Sequence, residues 1–195
     1  GLVIVLAALV VAFLTGLVFL QLAARGMIEP NPNTVSVEAA FSVAQDISRR
    51  AAQYRLTAAR LGQDVRAVAR GGWKLADMVI WWLAIGFFLA SVLGTFIPHE
   101  ALMRYFGPTV LGLLATMAMA SVIEICSEGS APLAFELFRH TGALGNSFAF
   151  LMGGVVTDVT ELGLVWTNLG KKTALWMVAL ALPQVFLLAL LLNRW

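Results

Sequence analysis

The chain of 195 residues is 60% hydrophobic and 12% charged, with a mean hydropathy of +0.86. Soluble globular domains carry about a quarter charged residues, so this composition excludes an ordinary water-soluble domain. The net charge of +2 gives no ground for a nucleic-acid partner, and the single cysteine, Cys126, excludes an intrachain disulfide and a CxxC-type zinc site.

Residues 2–20, LVIVLAALVVAFLTGLVFL, contain no charge. At ~1.5 Å rise per residue they match a hydrocarbon core of roughly 30 Å, which predicts a first transmembrane helix over 1–22. A secretory signal peptide is the alternative, but its apolar core is usually only about 7–15 residues. Glu29-Pro30-Asn31-Pro32-Asn33 then reads as a turn, because prolines and asparagines oppose a continuing helix. Residues 36–70 read as one long basic helix with an apolar stripe through Phe41, Ala44, Ile47, Ala51, Tyr54, Ala58, Leu61, Val65 and Val68. Such a helix lies along a membrane surface or packs on a partner; a linker with no further role is the other reading. Arg25, Arg49, Arg50, Arg55, Arg60, Arg66, Arg70 and Lys74 outnumber Glu29, Glu38, Asp46 and Asp64 here. Excess Lys and Arg marks the cytoplasmic side, so the 23–72 connection is expected inside and the amino terminus outside.

Gly71-Gly72 is expected to break the helix, and Trp73–Ile97 to form the second span, with Trp73 and Lys74 as interfacial anchors. Trp81 and Trp82 are expected to pack on other helices rather than bind a cofactor. Pro98-His99-Glu100 ends this span, and a short connection through Tyr105, Phe106, Gly107 and Pro108 leads to an apolar run over 109–123. That run and the next, 143–156, are shorter than the roughly twenty residues a span needs. Short apolar pieces interrupted by Gly and Pro are the mark of discontinuous helices in transporters. Lys171-Lys172 opens a last span, 173–192, with Pro183 a kink; these lysines again indicate the cytoplasmic face.

The interruptions carry the chemistry. Glu124, Cys126, Ser127 and Glu128 come first, and Thr157, Asp158, Thr160 and Glu161 follow. A carboxylate at membrane depth costs at least ~2.5–3.5 kcal/mol, so a polar pathway or binding site is the default reading. Glu124 and Glu128 share a helix face, while unwinding between Ser127 and Pro132 would free backbone groups for a ligand. Asp158 and Glu161 with their flanking threonines form an oxygen-rich set suited to a hard cation or to proton exchange. The structural alternative pairs Glu124 or Glu136 with Arg139 or Lys172. Cys126 could equally be an inert small core residue, and His140 an interfacial or salt-bridging one. Gly142, Gly145, Gly153, Gly154 and Gly163 most simply permit close helix approach, the first four of them between two copies of the chain.

Over about residues 100–190 the chain resembles the predicted permease family of prokaryotic inner membranes that includes the organoarsenical efflux permeases. Cys126-Ser127-x-Gly129 with Pro132-Leu133-Ala134, then Gly142-Ala143-x-Gly145 and Phe148-Ala149-Phe150-Leu151, carry the resemblance. Glu128 stands where family members often have a second cysteine, and members are typically longer, with a related motif in each half. The resemblance implies a multi-pass permease, of the efflux kind in its named members, in the inner membrane.

The expectation is an all-α polytopic membrane protein with about four full spans and two short broken or re-entrant helices. Residues 73–195 would form the permease core. It would move a small solute or ion through a midplane site of Glu124, Cys126, Ser127, Glu128, Asp158 and Glu161, by a secondary or channel-like mechanism, with no cofactor. Partners would be the solute, membrane lipid, and a second copy or a homologous half. A non-transporting scaffold or accessory subunit is the alternative; an intramembrane enzyme is disfavoured, since neither GxGD nor HExxH occurs.

Overall fold

The computed structural model describes residues 2–30, 41–53, 57–123 and 127–194, with backbone alone at 58–59 and 127–128. The described residues in regular structure are helical: α1 (Leu2–Ala24), α2 (Val43–Gln53), α3 (Ala58–Phe96), α4 (His99–Phe106), α5 (Val110–Ile123), α6 (Ser127–Thr141), α7 (Leu144–Thr157), α8 (Val159–Asn168) and α9 (Lys171–Leu192). The chain divides into two compact units, Gly1–Pro32 with Trp81–Trp195, and Asn33–Ile80.

In the second unit, the helix sequence predicts over 36–70 is divided: α2 ends at Gln53 and α3 starts at Ala58, with 36–40 and 54–56 outside the described residues. Ile47, Leu61, Val65 and Val68 of the apolar stripe are exposed. Gly71-Gly72 does not break α3. Each glycine costs only about 1 kcal/mol against alanine, and good helix formers flank the pair.

Among the described residues, four stretches are long and apolar enough to cross a membrane: Leu2–Ala24, Arg60–Phe96, Leu144–Asn168 and Lys171–Leu192. The run after Gly142 therefore does not stop short, because α7 and α8 together make a 25-residue span interrupted at Asp158. The connection expected before Pro108 is largely the short helix α4, which meets α5 at 97°. Trp81 and Trp82 are exposed rather than packed.

The first unit is built around α7. Its Asn146 donates to the carbonyls of Phe106 (2.8 Å) and Gly107 (3.0 Å) at the α4–α5 bend and meets the Thr116 hydroxyl of α5 at 3.2 Å. Ser147 on the next face donates to the Ala134 carbonyl of α6 at 2.9 Å. Further along, the hydroxyls of Thr157 and Ser121 are 3.0 Å apart. These pairings make α5 parallel to α7, and α6 antiparallel to both. With 14 residues, α5 descends only ~21 Å before α6 returns, the geometry of a re-entrant hairpin.

On its other side α7 packs on α9. A Cβ at Gly145 would run into the Ala189 carbonyl, and the Gly145 amide donates to Asn193 Oδ1 at 2.8 Å. Gly153 and Gly154 are likewise buried within the chain, against Ala120 and, for Gly153, Met117. Three of the four glycines predicted to serve contact between copies, Gly145, Gly153 and Gly154, are used inside one, while Gly142 is exposed where α6 turns into α7. Phe148, Leu113, Val185 and Ala189, each fully buried, make the core around these contacts. At the far end α1 runs antiparallel to α9: Gln184 donates to Thr15 at 3.2 Å, and the Glu29 carboxylate accepts from the Lys172 amide at 3.1 Å. An anion there suits the partial positive charge of a helix start.

Asn146→Leu should destabilise the protein in detergent, because it leaves the Phe106 carbonyl unpaired, at ~1–3 kcal/mol for a buried group, and leaves the Gly107 carbonyl only its bond from the Thr109 amide (2.7 Å). Thermal unfolding should show a drop of several degrees; an unchanged transition would mean that water or another group satisfies the bend.

Candidate functional site

The end of α5 and the α7–α8 junction stand at one level of the first unit. Ser121 lies one short step from the end of α5, and Thr157 is the last residue of α7. Their hydrogen bond sets the end of α5, from which the 124–128 segment departs, beside the α7–α8 junction. Glu124 and Cys126 lie outside the described residues, and Ser127 and Glu128 are described only as the first two residues of α6.

The Ser127–Pro132 stretch is helical, not unwound. The amides of the first turn have no intrahelical partner in any helix, so the serines and glycine cost little there. Pro132 then removes a single hydrogen bond in the second turn. Gly86 of α3 permits a close crossing here, since a Cβ on it would run into the Gly129 carbonyl.

Asp158 has a definite structural task. Its Oδ1 accepts from the amides of Thr160 (2.7 Å) and Glu161 (3.3 Å), capping α8. The cap satisfies the start of α8 in place, so the span continues across a polar break. Asp158 is half-buried, while Thr160 and Glu161 are exposed on the outer surface of the chain. Fourteen residues of α7 place this break ~21 Å below the start of a 25-residue span, within its middle third.

Glu136 is accounted for separately. It pairs with Arg139 and meets His140 Nε2 at 3.0 Å, all on α6, as the structural alternative proposes for Arg139. The sequence reading passes over Asn146, Thr116, Asn193 and Ser121. Asn146 is fully buried, and Asn193 donates to its Oδ1 at 2.6 Å. The signal was present in Gly145-Asn146-Ser147, two polar side chains inside an apolar run.

Residues 1–194 match the family described as predicted permease, ArsP_1. The chain belongs to this predicted permease family. It is also similar to UPF0718 protein YcgR of Bacillus subtilis (strain 168), 31% identical over 91 residues, covering 47% of this chain and 31% of that protein. UPF0718 protein YraQ of Escherichia coli (strain K12) is 28% identical over 124 residues, covering 60% of this chain and 35% of that protein. The chain thus spans about a third of the length of the curated relatives it matches. No solved structure matches.

Asp158→Ala should cost about 0.5–2 kcal/mol of stability by removing the cap, whereas Asp158→Asn, which keeps an acceptor oxygen, should cost much less. Equal losses in denaturant unfolding would mean that the carboxylate charge, rather than the cap, holds the junction.

Proposed function

We propose that this permease moves a small solute or ion through a midplane site formed by Glu124, Cys126, Ser127, Glu128, Asp158 and Glu161. The observation that carries the reading is the Ser121–Thr157 hydrogen bond, which sets the end of α5 level with the α7–α8 junction inside a span. Carboxylates at such depth are expensive unless they serve an ion, a proton or a polar solute. Two oxygen-rich groups facing one space would hold a hard cation or exchange protons, and Cys126 would add a softer contact. Transport would be secondary or channel-like.

Glu161 is exposed within the span, about one turn beyond the break at Asp158. In a bilayer such a group needs a cover, which supports completion of the site by a second copy or a homologous half. Since Gly145, Gly153 and Gly154 are already buried, contact would fall on the α8 side. The Glu29–Lys172 link supports one shared face for the end of α1, followed by Arg25, and the start of α9, with Lys171 and Lys172. We place that face, and the 23–72 connection, in the cytoplasm of a prokaryotic cell whose inner membrane holds the protein.

Glu128→Gln or Asp158→Asn should abolish solute flux in reconstituted vesicles with folding retained; normal flux in both variants would make the acidic set structural. Cysteines introduced between 57 and 70 should label from the cytoplasmic side. Labelling only from the opposite side would invert the topology.

A further inference from the structure

A cleft of about 410 Å³ lies between α3 and α6, within the roughly 300–1,000 Å³ usual for small-molecule sites. From α3 it is lined by Ser91 and Thr95, one helical turn apart, and from α6 by Glu136 and Arg139. Arg139 meets Glu136 through Nε, 3.0 Å from Oε2, and through one terminal nitrogen on Oε1. The pair seats against α3 because residue 94 is glycine; a Cβ there would run into the Glu136 carboxylate.

The two partners are unequally covered. The Glu136 side chain is 13% exposed, the Arg139 side chain 59%. A guanidinium carries its N–H donors in a planar fork, and Glu136 occupies only one edge of it. The carboxylate therefore fixes the orientation of Arg139, and the other terminal nitrogen is left for a ligand. Planar bidentate donors of this kind suit a carboxylate or a phosphate-like oxyanion.

We propose that this cleft binds a small oxyanion or carboxylate on the remaining donors of Arg139 and the hydroxyls of Ser91 and Thr95. His140 Nε2 lies 3.0 Å from Glu136 Oε1 and 3.4 Å from the Arg139 terminal nitrogen that meets the same oxygen, so it steadies the pair. His99 of α4 faces the His140 ring, with ring centroids 5.9 Å apart. The α3 wall contributes hydroxyls and Gly94 and no charge. The same chemistry fits a free anion or the phosphodiester of a lipid headgroup.

The test is sulfate titration of the full chain in phosphatidylcholine nanodiscs by calorimetry. Binding should be saturable. Arg139→Gln should weaken it at least about tenfold, as expected for a lost charge-assisted contact, and Arg139→Lys should retain part of it if the glutamine variant misfolds. Loss of sulfate binding on adding phosphatidylglycerol would identify the headgroup as occupant. Absence of sulfate binding together with no retention of phosphatidylglycerol, or binding indifferent to both Arg139 substitutions, would overturn the proposal.

Discussion

The side chain of Asn146 holds together the part of this protein that departs from simple membrane helices. Pro108 has no amide hydrogen, and the 97° bend beside it frees the carbonyls of Phe106 and Gly107. No water reaches backbone groups in hydrocarbon, so each must find a partner within the protein. Asn146 supplies both from one amide and is itself held by Asn193 near the end of α9. One buried residue of α7 thus ties the bend, the hairpin and the last span together.

That tie sets the depth of everything below it. With α5 fixed at its start against α7, its length alone decides where it ends, and Ser121 arrives beside Thr157. The antiparallel α6 is held by Ser147 and by the close crossing at Gly86 and Gly129. Its Arg139–Glu136–His140 cluster returns to the level at which α3 ends, well separated along the helix from Ser127. The hairpin therefore carries two chemically distinct polar groups at its two ends.

Much of this was legible in the residues. The spans of α1 and α9, the short α5 and the polar interruptions follow from hydropathy and length. What was not legible depends on partners distant in sequence. The break at Asp158 looked like an end because a polar residue closes an apolar run, yet its carboxylate caps the next helix and lets the span continue. Ser127–Pro132 looked like an unwound segment on propensity, but those residues fall where a helix start tolerates them. Gly71-Gly72 looked like a stop because local propensity ignores the length of helix on either side. The glycines of α7 were rightly read as sites of close approach, but sequence could not say that α9 and α5 already fill them.

Cys126, the single cysteine, reports directly on whether the hairpin's inner end meets water. Thiols react with maleimides as thiolates, which form in water and not in hydrocarbon. In vesicles containing the full chain, a water-soluble maleimide should label Cys126, and Thr157→Trp, which crowds the space beside Ser121, should slow that labelling. Labelling by lipid-soluble maleimide alone, or none with either reagent, would contradict a polar pathway at the depth of Asp158.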